Sequence, residues 1–245
     1  MLNVLIPMAG MGEFDKEEFH YPKPLIEIGG RPLIERVVAC LDRIREEKQY
    51  VFVVQAIDCQ VHHLDHVLRL ITDNKCKVVQ IEGATRGAAC SALMAIDYID
   101  NESSLVISNS DHIIDYDLDS VVKEFRSRNL DAGTLCFESV HPKWSFVRLD
   151  ECGRIIETAE KRPLSKNAIA GFYYFRKGSD FVKAAMTMVE KDVNVGGRYY
   201  VAPAINELVL AGKSLGIHKI PSSVYHNFYS PHKIREYERT ISEGT

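Results

Sequence analysis

The first half of the chain is constrained most by an alternation of two kinds of segment. Short apolar runs at residues 2–6, 51–54, 77–81 and 105–108 are separated by stretches whose apolar residues fall at helical spacing. Leu33, Ile34, Val37, Val38, Leu41 and Ile44 make one such stripe, and Val61, Leu64, Leu68 and Ile71 make another. Residues 87–99 and 117–128 continue the series, with Asp117 or Asp119 placed to cap the second. The runs are continuous rather than alternating, which is the pattern of strands buried on both faces. An α/β fold with a mostly parallel sheet covered by helices is the expectation.

The second half changes character. Strands are expected at 132–138, 146–150, 154–158, 170–175 and 214–220, with Glu151-Cys152-Gly153 as a turn and helices near 179–190 and 202–211. No polar linker or internal repeat divides the chain. The 245 residues therefore read as one domain with two lobes, about 1–130 and 131–235. At 46% hydrophobic and 26% charged residues the composition excludes a disordered chain. Thirty basic against thirty-four acidic residues, with no basic stripe, argue against nucleic acid as a partner. The six cysteines form no CxxC pair, which points to reduced thiols and a cytoplasmic protein. The first apolar run is too short for a signal peptide, and no stretch approaches the ~20 apolar residues of a membrane span.

Three places could carry chemistry. Met8-Ala9-Gly10-Met11-Gly12 follows the first strand at once, and glycines there let backbone amides approach a phosphate, or simply make a tight turn. Position 15 is Asp15, so the dinucleotide fingerprint GxGxxG fails, and an oxidoreductase is disfavoured. Lys23 stands between Pro22 and Pro24, either as a point charge for phosphate or as a surface lysine in a proline turn. Asp111 ends the fourth run, where a carboxylate could hold Mg²⁺ beside a substrate phosphate or cap a turn. His62, His63 and His66 suggest zinc only weakly, since no third ligand is evident outside the cluster, and surface helix residues are the simpler reading.

Taken in order, the segments Ala9-Gly10-Met11-Gly12, Pro22-Lys23-Pro24-Leu25 and Gly30-Arg31-Pro32-Leu33-Ile34 resemble the nucleoside-triphosphate transferase family. Its members are sugar-1-phosphate nucleotidylyltransferases and phosphocholine-type relatives. The resemblance continues through Thr85-Arg86-Gly87-Ala88-Ala89, Asp111, and Glu160-Lys161-Arg162-Pro163 with Asn167 and Gly171, from residue 3 to about 234. It implies a Rossmann-like, mostly parallel mixed sheet with a smaller acceptor-binding lobe. It also implies transfer of a nucleotidyl group from an NTP to a phosphorylated acceptor, with Mg²⁺ as cofactor. In that frame Ala9, Gly10 and Gly12 hold the triphosphate, Lys23 approaches the α-phosphate, and Asp111 positions the metal. Thr85 and Gly87 support the nucleoside. Lys161 holds the acceptor phosphate, with Glu160, Asn167 and Gly171 around the acceptor. Nucleotide-sugar and cell-surface polysaccharide synthesis is the implied setting, with self-association open. The chain is shorter than many hexose-specific relatives, which points to CTP with a small phosphorylated alcohol or sugar 1-phosphate.

Two positions depart from the family pattern. Gly12-Glu13-Phe14-Asp15 lacks the arginine that follows the second glycine, and Asn227 stands where a second metal aspartate is expected. Both favour, as an alternative, a catalytically weak or inactive nucleotide- or sugar-phosphate-binding protein. Trp144 is expected to pack on the acceptor or the lid, and Arg198 and Tyr199 to close over the acceptor or enter the late helix.

Overall fold

The computed structural model describes residues 1–10 and 20–243, with side chains through Ile241. After β1 (Leu2–Pro7) and a 3-10 turn at Lys23–Leu25 come β2 (Glu27–Ile28), β3 (Arg31–Pro32) and α1 (Leu33–Asp42). Next are β4 (Lys48–Gln55), α2 (Ala56–His62), α3 (Leu64–Ile71), β5 (Cys76–Ile81), α4 (Ala88–Leu93), α5 (Ile96–Ile99) and β6 (Ser104–Ser108). The chain continues with β7 (His112–Ile114), α6 (Leu118–Ser127), β8 (Ala132–Glu138), β9 (Ser145–Leu149), β10 (Ile155–Glu160) and β11 (Asn167–Phe175). It ends with α7 (Gly178–Glu190), α8 (Val201–Leu210), β12 (Leu215–Lys219), β13 (Tyr225–Asn227) and α9 (Pro231–Glu243).

Among the described residues the main sheet has nine strands. β5, β4, β1 and β6 lie side by side and parallel, as their continuous apolar runs require. β11 joins β6 antiparallel, and β8, β9, β10 and β12 build outward from it. One edge of β11 is shared: Phe172 to Phe175 pair with β6, while Ala168 pairs with β9. Between those halves four steps along β11, from Ile169 to Tyr173, face only two along β8, from Cys136 to Thr134. Gly171 sits in this bulge at φ +66°, a left-handed conformation that glycine adopts at little steric cost.

Alternate residues of one strand feed two cores. Leu2, Val4 and Ile6 of β1 pack with α1 and α6, while Leu5 packs on the other face with α4, α7 and α8. β4 divides in the same way, Phe52 and Val54 to one side and Val51 and Val53 to the other. Burying a Val, Leu, Ile or Phe side chain is worth about 1.5–3 kcal/mol, so both layers are held chiefly by this packing. Asp117 caps α6 by accepting from the Ser120 amide. No helix among the described residues is long and apolar enough to cross a membrane.

The structure differs from the sequence expectations at particular points. The stripe over 60–72 is two helices, because His63 turns left-handed at φ 52° and ends the first. The stretch 87–99 also breaks, between α4 and α5 at Met94 and Ala95. The pairing of β7 with β13 was not expected, since three-residue strands carry almost no periodicity.

Candidate active site

The carboxyl ends of β1 and β6 open into a cleft of about 380 Å³. Gly10 lines it just beyond β1, and a Cβ added there would meet nothing within 4 Å among the described residues. Ala9 is fully buried, and its carbonyl accepts a hydrogen bond from Gln55 Nε2 at 2.5 Å. The same nitrogen donates to the Gly83 carbonyl at 2.9 Å, so Gln55 ties the β1 exit to the segment before Thr85. Gln55 was missed from sequence, although a buried amide ending an apolar strand was its signal. Gly12 and the neighbouring Glu13 and Asp15 lie outside the described residues.

Lys23 and Asp111 meet in this cleft, with Nζ and Oδ2 2.7 Å apart. The proline-flanked turn holds the lysine: the Leu25 amide donates to the Pro22 carbonyl at 2.8 Å, and Pro24 is buried. Burial pushes the Asp111 carboxyl up, but the charge and hydrogen bond of Lys23, with help from His112, outweigh it and hold it below its ordinary range. The Asp111 carbonyl accepts from the Phe228 amide at 2.8 Å, and Asn227 pairs with His112 across β13 and β7. Asn227 is thereby brought to the same cleft, where its Oδ1 is buried with no hydrogen-bond partner among the described residues.

A carboxylate and an orphaned amide oxygen in one pocket suit a hard divalent cation such as Mg²⁺, which takes oxygen ligands and shares them with phosphates. Among the described residues no three His, Cys, Asp or Glu side chains converge. In this cleft Asp111 and Asn227 are the groups that could hold such an ion. His62 and His66 are split between α2 and α3.

Behind Asp111 the packing is tight. His112 is buried, with Nε2 3.2 Å from Ser108 Oγ, and burial lowers its pKa to about 4 against the opposing charge of Asp111. The Asn109 amide donates to the Gly171 carbonyl at 3.0 Å, so the β11 bulge fixes the segment that carries Asp111.

The acceptor-side residues divide. Glu160 lines the cleft and accepts a hydrogen bond from Ser145 Oγ. Burial pushes its carboxyl up against the effects of Ser145 and Lys161. Lys161 has a left-handed backbone at φ 55° and donates to Tyr200 Oη at 3.1 Å, so it meets the cleft through that tyrosine rather than as a wall. Asn167 is not a wall residue either: its backbone amide donates to Ser165 Oγ at 2.9 Å, and its side-chain nitrogen lies 3.5 Å from the Val147 carbonyl. Thr85 Oγ1 engages Ser91 Oγ at 2.6 Å and the Gly87 carbonyl at 3.2 Å, at the start of α4. Gly87 has φ +114°, and a Cβ there would lie 2.3 Å from the Tyr199 carbonyl oxygen. Tyr199 is buried and donates to Asp192, so it braces the entry to α8. Arg198 closes a local turn with Val195. Trp144 lines the cleft, and beside it stands Lys143, a residue the sequence reading passed over.

Comparison with known proteins gives a consistent picture. The sequence model of the family described as nucleotidyl transferase matches residues 19–194. The chain is 25% identical over 198 residues to the bifunctional protein GlmU of Methanococcus aeolicus, covering 80% of this chain and 44% of GlmU. It is 25% identical over 199 residues to the UTP–glucose-1-phosphate uridylyltransferase AglF of Haloferax volcanii, covering 79% of this chain and 77% of AglF. It therefore spans less than half the length of the first relative and most of the second. In fold it matches a nucleoside-diphosphate-sugar pyrophosphorylase from Vibrio cholerae RC9, with a TM-score of 0.83 at 23% identity over 96% of this chain and 99% of the other. A structure from Bacillus anthracis, described as a glucose-1-phosphate thymidylyltransferase in complex with a sucrose, gives a TM-score of 0.75 at 16% identity over 98% of this chain and 95% of the other.

Proposed function

The chain belongs to the nucleotidyl transferase family, and on that premise we propose that it joins the nucleotidyl group of an NTP to a sugar 1-phosphate or similarly small phosphorylated acceptor. Pyrophosphate is the second product. The observation that carries this reading is the 2.7 Å pairing of Lys23 with Asp111, residues 88 positions apart that converge in the cleft at the strand ends.

An acceptor phosphate oxygen attacks the α-phosphorus of the NTP. The new O–P bond forms as the bond to the β-phosphate bridging oxygen breaks, and pyrophosphate leaves with that electron pair. A phosphate monoester with a second pKa near ~6 is already mostly ionised at neutral pH, so no side chain has to remove a proton. Catalysis then rests on alignment and charge neutralisation. Lys23 neutralises the α-phosphate as its bond to Asp111 is exchanged. The backbone at Gly10, which carries no side chain, admits the distal phosphates. Magnesium, when bound, supplies charge neutralisation on the phosphate oxygens, with Asp111 and Asn227 to hold it. Glu160, kept toward its neutral form by burial, is suited to hydrogen-bond acceptor hydroxyls. We assign the donor to the lobe of residues 1–130 and the acceptor to residues 131–235.

The non-catalytic alternative finds no support in the relatives, which are named for enzymes. For the donor base, CTP from the sequence reading competes with UTP, named for AglF, and with the thymidine nucleotide named for the Bacillus anthracis protein. Pyrophosphate release from CTP, UTP, dTTP, ATP and GTP with Mg²⁺, across phosphorylated sugars and small alcohols and with mass detection of the product, decides both. A coupled nucleotide product supports the reading and identifies the pair. Absence of any product across the panel, with NTP bound, rejects it.

A further inference from the structure

We propose that Lys143 is the cation that reads the acceptor, and that it restricts the acceptor to one with an uncharged or anionic body, excluding alkylammonium headgroups. This rests on the nucleotidyl-transfer reading above and goes on to name the substrate class.

Lys143 is placed by a built turn rather than left loose on the surface. Its amide donates to His141 Nδ1 at 3.2 Å, the Trp144 amide donates to the His141 carbonyl at 3.3 Å, and the His141 amide donates to Ser139 Oγ at 3.3 Å. The side chain turns into the cleft. Its Nζ lies 4.5 Å from the Trp144 ring centre and 4.1 Å from that of Tyr229, and donates to Tyr229 Oη at 2.6 Å. Trp144 is itself fixed edge-on against Phe137 at 5.3 Å and Tyr225 at 5.7 Å. Trp144, Tyr225 and Tyr229 form an aromatic wall of the cleft, with Phe137 behind it.

An alkylammonium group would be received on ring faces such as these, through cation–π attraction. Here the protein's own ammonium already holds the position. A second cation against the same rings would lie within a few ångströms of Lys143 Nζ and be repelled by it. The other charges of the cleft do not cancel this one. Asp111 is matched by Lys23, and Glu160 has Lys161 as its charged neighbour and is pushed toward its neutral form by burial. Among the described residues Lys143 has no carboxylate within 4.0 Å. Its charge therefore faces whatever occupies the cleft, which suits a phosphate or a hydroxyl-rich body and not an amine.

Trp144 is the only tryptophan of the chain, so intrinsic tryptophan fluorescence reports this wall alone. The test titrates glucose 1-phosphate, glycerol 3-phosphate and phosphocholine into the parent, Lys143→Met, Lys143→Arg and Lys161→Met. The parent is expected to bind the two neutral-bodied phosphates at least about tenfold more tightly than phosphocholine. Lys143→Met should abolish that ratio, weakening the first two and strengthening phosphocholine, while Lys143→Arg and Lys161→Met retain it. An unchanged ratio in a Lys143→Met protein with parental circular dichroism overturns the proposal. So does a parent that prefers phosphocholine, or a parent whose fluorescence responds to neither neutral-bodied phosphate. The pyrophosphate assay separates the two claims. Selective binding without release from any substrate pair rejects the transfer reading, and transfer with an unchanged ratio rejects the role of Lys143.

Discussion

Gly171 and Asn109 approach so closely that a Cβ on the glycine would lie 2.5 Å from the Asn109 side-chain nitrogen. The contact joins the β11 bulge to the segment that presents Asp111. Gly171→Ala should meet both this clash and the left-handed backbone, at a cost of about 2–4 kcal/mol. Urea denaturation measures it, and an unchanged midpoint would show that the bulge relaxes freely. Nucleotidyl transfer should fall in the same variant, because the Asn109 amide is anchored on the Gly171 carbonyl.

Lys23→Met should lower transfer by about 100-fold or more, the usual scale for removing one preorganised electrostatic contact to a developing charge. The fold should survive, since the lysine sits in a surface cleft. The same variant changes acid stability. Asp111 is held low in the folded parent, so its contribution is present above the ordinary carboxylate range and is lost as pH falls through the folded value. Without Lys23, burial meets only the weaker opposition of His112 and a backbone hydrogen bond, and that contribution should shrink sharply. Parental turnover in the variant would remove Lys23 from the chemistry.

Asn227→Asp should tighten Mg²⁺ binding several-fold, because a charge replaces a neutral oxygen that is buried and has no hydrogen-bond partner among the described residues. Without metal the same change places a second carboxylate near Asp111 and should lower the melting temperature. Thermal shift with and without Mg²⁺ reads both effects. If neither moves, residue 227 does not face the metal.

His112 gives a pH prediction of fixed sign. Its folded pKa is lowered from 6.5 to about 4, so between those values the unfolded chain binds the extra proton. Stability should rise with pH across that window, by about 3 kcal/mol in total. Ring-carbon NMR, assigned with His112→Gln, checks it directly, and titration near 6.5 would contradict it.

The fold was legible because strands buried on both faces leave continuous runs. β1 and β8 could be placed within about a residue from their apolar runs. What failed was local. His63 is one residue in a left-handed conformation, and nothing in the Val61, Leu64, Leu68 stripe marks it. The C-terminal helix α9 had a signal that went unread: Pro231 at its first turn, then Ile234, Tyr237 and Ile241 at helical spacing. In the site, the residue types at Lys23 and Asp111 were readable, but their meeting was not, because it depends on how β1 and β6 lie together in the sheet. Lys143 was hidden for another reason. Its role depends on Tyr229, 86 positions away, and no short motif contains both.

The most direct test of the central claim follows two labels through one reaction. The protein is incubated with Mg²⁺, an acceptor from the panel and NTP carrying phosphorus label at either the α or the γ position. Attack at the α-phosphorus predicts α-label in the nucleotide–acceptor product and γ-label in pyrophosphate, with both lost in Lys23→Met. Release of γ-label as inorganic phosphate, with α-label left in a nucleoside diphosphate, would contradict nucleotidyl transfer.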